Sequence, residues 1–187
     1  MPRLEAIDPR EATGRTKELL DGVQAKLGRV PNLLRTFANS PAALEGYLNF
    51  SGALGGGLLD AKLREQIALT VADANSCEYC LSAHTAIGKM VGLVDEEILA
   101  SRQAASADPR TNAALVFAHR IVVKRGEVDD SDLHAVRTAG FSDGEITEIV
   151  ANVALNTLTN YFNHVAQTVV DFPKAQLTLG VAGVHSN

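Results

Sequence analysis

Apolar residues recur at intervals of three and four along most of the chain, the spacing that places them on one face of an α-helix. Leu19, Leu20, Val23 and Leu27 form the first such series. The strict alternation of apolar and polar residues that is typical of half-buried strands is almost absent. The pattern therefore predicts an all-α protein.

Capping residues and helix breakers divide this pattern into separate helices. Asp8, with Pro9 after it, is a predicted N-cap, as are the later Ser40, Asp60, Ser76 and Ser142. The predicted helices cover residues 9–27, 33–38, 41–54, 61–74, 77–91, 96–103, 112–124, 132–139 and 143–170, with a kink or break in the last one near 156–160. We expect a single helical domain over residues 1–187, with an irregular arm at 1–10 and a weakly ordered tail at 174–187.

Composition and charge limit the kinds of partner that we expect for this protein. The 187 residues are 46% hydrophobic and 21% charged, with a net charge of −5, which is ordinary for a globular protein. The chain has no basic patch, so neither nucleic acid nor an anionic membrane surface is an expected partner. It also has no apolar run of membrane-spanning length and no signal-peptide pattern at its start. We therefore expect a cytoplasmic protein, in which a close cysteine pair is more often catalytic or metal-binding than a structural disulfide.

The only two cysteines, Cys77 and Cys80, form a Cys-x-x-Cys pair. His84 follows the second cysteine by four positions, and Glu65 precedes the first by twelve. On a helix that starts near Cys77, residues 77, 80 and 84 share one face. The first turn of a helix favours a thiolate, because its unpaired N–H groups carry partial positive charge.

This set of side chains predicts redox chemistry. His84 would accept or relay a proton, and Glu65, on the preceding antiparallel helix, would hydrogen-bond and orient the imidazole. A thiolate that attacks a peroxide O–O bond becomes a sulfenic acid, which a neighbouring thiol converts to a disulfide. A reductant must then reset the pair. The leading hypothesis is a thiol peroxidase that uses no cofactor and no metal.

The spacing Glu65-x11-Cys77-x2-Cys80-x3-His84 resembles the active site of AhpD-like alkylhydroperoxidases, in the carboxymuconolactone decarboxylase superfamily. The segment NSCEYCLSAHT at 75–85 is similar to peroxidase-related members of that superfamily. The similarity extends to the Val-Pro-Asn turn at 30–32 and to the segment 160–164, so it covers residues 25–173 approximately.

The resemblance implies an AhpD-like helical bundle, a homo-oligomer of three or six chains, a hydroperoxide substrate and a dithiol or protein reductant. It also implies that Cys80 is the peroxidatic thiol, that Cys77 resolves the sulfenic acid, and that His84 and Glu65 form a proton relay. The chain departs from the best-studied branch at Tyr79, where that branch has a histidine. That departure leaves the role of position 79 open.

Three alternatives stay open from the sequence. The cysteine pair would also serve a thiol–disulfide oxidoreductase that does not use peroxide. Cys77, Cys80, His84 and Glu65 would provide an acceptable set of zinc ligands for a structural module. Non-redox decarboxylase chemistry also occurs in the superfamily, although generally without the cysteine pair.

The remaining polar candidates are predicted to be structural. Glu145 fits a capping box with the preceding serine, and His119 and His134 have no local partners. His164 is interpreted as a packing or interface residue, with the alternative that it and Asn160 approach the thiols from a neighbouring helix or subunit.

Overall fold

The computed structural model of the chain describes residues 1–175, which form nine α-helices and no β-strand. The helices are α1 (Gly14–Leu27), α2 (Asn32–Phe37), α3 (Pro41–Gly55), α4 (Ala61–Ala74), α5 (Glu78–Met90), α6 (Asp95–Arg102), α7 (Pro109–Val123), α8 (Asp130–Thr138) and α9 (Asp143–Ala166). The predicted all-α class is confirmed. Most predicted bounds differ from these only slightly at the helix ends.

Capping side chains determine where several helices begin. The Ser40 hydroxyl accepts a hydrogen bond at the start of α3, and the Asp60 carboxylate accepts one from the Leu63 N–H at 2.8 Å at the start of α4. Ser142 and Glu145 form a reciprocal capping box at the start of α9. These bonds satisfy N–H groups that the first helical turn leaves unpaired. The sequence predicted all three starts.

Helix α4 lies at the centre of the molecule and packs against α5, α6, α7 and α9. Leu69 and Ala72 join an apolar cluster with residues of α1, α2, α3 and α5. Ile67 and Val71 join a second cluster with residues of α7, α8 and α9. Because close-packed interiors resist displacement, this helix is a firm platform for any functional side chain that it carries.

The predicted start of α1 is wrong. The Asp8 carboxylate does not cap a helix, because it accepts bonds from the backbone N–H and the guanidinium of Arg10. The chain enters α1 only at Gly14, through the left-handed conformation (φ +54°) that glycine adopts readily.

The predicted N-cap of α5 is also wrong, and this correction affects the thiols. Ser76 has a left-handed φ of +54°, and Cys77 is the N-cap. The Cys77 Sγ accepts a hydrogen bond from the Cys80 N–H at 3.4 Å. Cys77 therefore lies just before the helix, whereas Cys80 lies within its first turn.

Two other boundaries differ from prediction. Helix α7 begins at Pro109, with Asp108 as N-cap, because proline is favoured at the first helical position. Helix α9 is continuous through 156–160 and ends at Ala166, where Gln167 adopts a left-handed φ of +53°.

Beyond α9, residues 168–175 form an irregular segment that contacts α2 and α5, and we call it the C-terminal strap. Residues 176–187 of the predicted tail lie outside the described residues. The single domain over 1–187 stays a prediction. Within residues 1–175, no helix is both long enough and apolar enough to cross a membrane.

Candidate active site

Both thiols are buried at the start of α5, and each side chain is only 2% exposed. The Sγ atoms of Cys77 and Cys80 lie 2.7 Å apart as free cysteines, with the Cys77 thiol donating toward Cys80. The N-cap position of one cysteine and the first-turn position of the other bring the two sulfur atoms together. The backbone therefore already holds them in the proximity that disulfide formation needs.

Glu65 reaches the site from α4, as the sequence predicted. Its Oε2 lies 2.7 Å from Nδ1 of His84, and both side chains are largely buried. Nδ1 donates in this pair, because a carboxylate only accepts. The carboxylate thereby fixes the orientation of the ring.

The surroundings shift the pKa values of the two thiols in opposite directions. The pKa of Cys80 lies well below its ordinary value, first because of the hydrogen bond from Cys77 and also because of the positive charge of His84. The pKa of Cys77 is raised by its hydrogen bond to Cys80, by burial and by the negative charge of Cys80. The pair is therefore arranged as a Cys80 thiolate and a Cys77 thiol.

The surroundings of His84 favour its protonated, positively charged form. Burial is the largest single effect and lowers the pKa of His84, but the effects that raise it, led by the charge and the hydrogen bond of Glu65, together outweigh burial, so the pKa is raised. The Cys80 thiolate and the Asn156 side chain act in the same direction. The site thus favours a thiolate–imidazolium pair with a carboxylate behind the imidazolium.

Sequence reasoning missed Asn156 and Asn163, which with Asn160 form a buried group of asparagines on α9 beside the cysteine–histidine group. Asn163 donates from Nδ2 to the Sγ of Cys80 at 3.3 Å. Asn160 is completely buried, and its amide also lowers the pKa of Cys80. Asn156, Asn160 and Asn163 are spaced at helical intervals, which was the available signal for a buried polar face.

Asn160 approaches the thiols, as the alternative interpretation allowed, but His164 does not bind them. The Asn160 Oδ1 accepts a hydrogen bond from Asn75 Nδ2 at 2.9 Å, which turns its Nδ2 the other way. His164 donates from Nε2 to the backbone carbonyl of Asn75 at 2.8 Å. These two residues therefore fix the α4–α5 connection against α9.

Tyr79 stands where the best-studied branch has a histidine, but its hydroxyl is bound elsewhere. Its hydroxyl accepts a hydrogen bond from the Leu33 N–H at 3.0 Å and donates to Asp171 Oδ1 at 2.8 Å. Burial is the main reason why the pKa of Tyr79 is raised. Tyr79 lies between the two cysteines in the sequence, but its hydroxyl links α2 to the C-terminal strap.

Three cavities surround the cysteine–histidine group. An apolar cavity of about 120 Å³ reaches Cys80 and His84, and a second cavity of about 90 Å³ reaches His84 and Glu65. A polar groove of about 290 Å³ reaches Cys77 from the side of Asn163 and Gln167. The two cysteines therefore face different spaces.

The other predicted residues have structural contacts. Glu145 caps α9 and pairs with Arg110, as predicted for a capping residue. His134 lies 3.4 Å from the Thr138 hydroxyl on the same helix. Within residues 1–175, no group of three or more His, Cys, Asp or Glu side chains is arranged to hold a metal ion, so the zinc alternative lacks its ligand set there.

Comparisons with known proteins give a family match and several solved structures with a similar fold. Residues 41–120 match the carboxymuconolactone decarboxylase family. A search of curated proteins gave no match.

Among solved structures, one match is an uncharacterized peroxidase-related protein from Silicibacter sp. TM1040, which is 26% identical to this chain. The alignment covers 90% of this chain and 94% of that protein, with a TM-score of 0.77. An alkylhydroperoxidase AhpD core, an uncharacterized peroxidase-related protein from Ralstonia eutropha JMP134, is 28% identical over 91% of this chain and 92% of its own, with a TM-score of 0.79. The debrominase Bmp8 shares the fold at 18% identity, over 91% of this chain and 94% of its own, with a TM-score of 0.77. The family match over residues 41–120 and the shared fold over most of the chain show that the protein is similar to the AhpD-like and carboxymuconolactone decarboxylase superfamily.

Proposed function

We propose that the protein is a thiol-dependent peroxidase that reduces alkyl hydroperoxides through Cys77 and Cys80. The observation that carries the proposal is the polarised thiol pair, with Sγ atoms 2.7 Å apart, beside the Glu65–His84 hydrogen bond. A nucleophilic thiolate, a resolving thiol and a proton donor are the three groups that the reaction requires. The similarity to the AhpD-like superfamily supports the same function.

In the first step, the Cys80 thiolate attacks the terminal oxygen of the hydroperoxide. A sulfur–oxygen bond forms, the O–O bond breaks, and the sulfur is oxidised to sulfenic acid while the peroxide is reduced to an alcohol. The departing alkoxide needs a proton, and the His84 imidazolium supplies it. The Glu65 carboxylate stabilises that imidazolium before the transfer.

In the second step, the Cys77 sulfur attacks the sulfur of the Cys80 sulfenic acid. The sulfur–sulfur bond forms, the sulfur–oxygen bond breaks, and the hydroxyl leaves as water with the proton that Cys77 releases. His84 relays this proton and stays neutral at this stage, and it becomes an imidazolium again only when the dithiol that reopens the disulfide delivers its protons. The cycle leaves an oxidised Cys77–Cys80 pair.

A dithiol or a protein reductant then reopens the disulfide. We place its attack at Cys77, because this sulfur borders the polar groove of about 290 Å³ whereas Cys80 borders the apolar cavity. Thiol–disulfide exchange requires access to one sulfur along the S–S axis. A reductant of this kind is supplied in a reducing compartment, in agreement with the cytoplasmic location expected from the sequence.

The experiment that tests this function measures the consumption of tert-butyl hydroperoxide by the full chain with dithiothreitol as reductant. We expect turnover that is proportional to enzyme and that stops when the dithiol is exhausted. A protein that exchanges disulfides with dithiothreitol but consumes no hydroperoxide would instead be the thiol–disulfide oxidoreductase considered above.

Replacement of Asn163 by alanine should raise the pKa of Cys80. The substitution removes an amide donor at 3.3 Å from the Sγ. A hydrogen bond to a charged group contributes about 1.5–3 kcal/mol, so we expect a rise of roughly one to two pH units. Ultraviolet titration of the thiolate in a Cys77→Ser background measures this value at Cys80 alone.

The matched control for this titration is Asn152→Ala. Asn152 is a buried asparagine of the same helix, but its Nδ2 donates to the Glu148 carbonyl. The Cys80 titration should not move in this variant. Equal shifts in the two variants would mean that general loosening of α9, and not the amide donor, sets the pKa.

We also propose that the protein is a homo-oligomer of three or six chains, as the resemblance implied. The outer face of α9 exposes the apolar side chains of Val150, Leu158, Tyr161 and Val165. Light scattering should give the mass of an oligomer for the native chain and a smaller mass for Leu158→Glu. Met90→Glu, at an exposed position on α5, is the control that should keep the native mass.

A further inference from the structure

The C-terminal strap contributes one wall of the apolar cavity at Cys80. Phe172 of the strap lines this cavity of about 120 Å³ together with Cys80, Ala83, His84 and Ile87. The other walls are side chains of the α1–α2 region and the neighbouring helices, among them Leu33 and Tyr79. A molecule that approaches Cys80 from this side therefore has to fit against Phe172.

Asp171 holds the strap in this position by contacts from three directions. Its Oδ1 accepts the hydrogen bond of the Tyr79 hydroxyl at 2.8 Å. Its Oδ2 accepts a bond from the Asn32 N–H at 3.0 Å and pairs with the Arg29 guanidinium. A partly buried carboxylate with this many donors is a strong anchor, because each bond to a charged acceptor is stronger than a neutral one.

Further contacts fix the strap on both sides of Asp171. Asn32 Nδ2 donates to the Val169 carbonyl at 3.0 Å, and the Ala175 N–H donates to the Ser82 hydroxyl at 3.0 Å. The Phe172 ring itself packs edge-on against Tyr79 and lies under the Arg29 guanidinium, 4.5 Å from the ring centroid. The position of Phe172 is thus set by its neighbours and not only by the chain on either side.

We propose that the strap sets the upper size of molecules that reach Cys80, with Phe172 as the limiting side chain and Tyr79–Asp171 as its clasp. The cavity volume of about 120 Å³ is below the roughly 150 Å³ of an apolar cavity that holds one benzene molecule. A small branched alkyl group fills such a space, whereas a phenyl-bearing group requires Phe172 to move. Small branched alkyl hydroperoxides are therefore the preferred substrates, a conclusion that rests on the proposed peroxidase function.

This assignment gives Tyr79 a specific role. The position that precedes the second cysteine handles no proton here, because the hydroxyl is committed to Leu33 and Asp171. Tyr79 instead couples the helix that carries Cys80 to the wall that faces Cys80. It is a positioning residue for the substrate cavity.

The first test measures access to Cys80 without any peroxide. The reduced Cys77→Ser chain, in which Cys80 is the sole thiol, is treated with iodoacetamide and with N-benzyl iodoacetamide, and the two alkylation rates are followed by mass spectrometry. We expect iodoacetamide to react at least ~10-fold faster, because tight apolar sites discriminate by about this factor or more for each added group. Phe172→Ala should reduce the ratio to near the value for a free thiol.

Asp171→Asn should lower the same ratio by a smaller factor, because the amide keeps some of the hydrogen bonds but loses the charge. Phe50→Ala is the control, since Phe50 is an exposed phenylalanine on α3 that does not line this cavity. The proposal is overturned if Phe172→Ala keeps the circular dichroism of the parent and also keeps its rate ratio. A low ratio already in the parent chain would overturn it as well.

The second test uses kcat/KM for tert-butyl and cumene hydroperoxides in the chain with both cysteines. The parent should prefer the tert-butyl compound, and Phe172→Ala should shift the preference toward cumene hydroperoxide by about 10-fold. A wrong peroxidase assignment gives no turnover with either compound but leaves the alkylation result intact. A wrong strap assignment gives turnover with equal preference in both proteins.

Discussion

Replacement of Cys80 by serine is expected to abolish hydroperoxide turnover, with a loss of about 10³-fold or more, because it removes the nucleophile itself. Serine occupies nearly the same volume but carries no negative charge at neutral pH. The loss should therefore appear in the chemical step and not in the fold. Peroxide consumption in the presence of dithiothreitol measures it directly.

Cys77→Ser is the matched comparison, because it changes the same atom at the neighbouring thiol. This variant keeps the Cys80 thiolate and should consume one equivalent of hydroperoxide in a single burst. The sulfenic acid that accumulates can be trapped with dimedone and located by mass spectrometry. Full turnover by Cys80→Ser, or a trapped sulfenic acid on Cys77 in the native chain, would reverse the roles assigned to the two cysteines.

Replacement of Glu65 by glutamine has the second largest expected effect. Glutamine keeps an oxygen that can accept from His84 Nδ1 but loses the charge that raises the pKa of the imidazole. General acid–base groups contribute factors of about 10²–10⁴, so we expect kcat/KM to fall by roughly 10²-fold. Glu96→Gln, at an exposed carboxylate of α6, should have no such effect.

The pH profile separates this electrostatic effect from simple loosening. Activity requires the Cys80 thiolate, so it rises with pH through the lowered pKa of Cys80. It also requires the His84 imidazolium, so it falls again through the raised pKa of His84. The native profile of kcat/KM is therefore a bell, whose two limbs belong to the coupled pair.

Loss of the Glu65 charge narrows this bell from its alkaline side. A less stable imidazolium deprotonates at lower pH, which moves the alkaline limb downward. The acid limb does not move upward, because His84 is still protonated there and the lost carboxylate carried the same sign of charge as the Cys80 thiolate. A profile that falls uniformly without a shift of either limb would contradict the proposed role of Glu65.

The fold was largely predictable because its helices are delimited by local signals. Ser40, Asp60 and Ser142 cap their helices as predicted, since an N-cap depends only on residues within one turn. The errors arose where another contact competed for the same group. Asp8 is bound by Arg10 instead of capping α1, and the backbone at Ser76 turns left-handed so that Cys77 becomes the cap.

The site was predictable in part for a different reason. Cys77, Cys80 and His84 lie within about two turns of one helix, so their spacing fixes their shared face. The contact of Glu65 with His84 could be predicted because α4 and α5 are consecutive and antiparallel. These four residues meet in the structure as the sequence predicted, although their catalytic roles stay a proposal.

The asparagines and the strap were not predictable from spacing alone. Asparagine is a poor helix former, and residues 156–160 were therefore interpreted as a kink, whereas α9 is continuous, buries Asn156 and Asn160, and brings the amide of Asn163 to the Cys80 Sγ. The contact of Asp171 with Tyr79 joins residues 92 positions apart in the chain, beyond any local pattern. Contacts of that range depend on tertiary packing.

The most direct test of the proposed function is a single-turnover reaction without added reductant. The reduced native chain is mixed with one equivalent of tert-butyl hydroperoxide, and the peptide that contains Cys77 and Cys80 is analysed by mass spectrometry while tert-butanol is quantified. We predict one equivalent of tert-butanol and a peptide lighter by two hydrogen atoms, with both sulfur atoms in a Cys77–Cys80 disulfide. Free thiols with unconsumed hydroperoxide would contradict the proposed function.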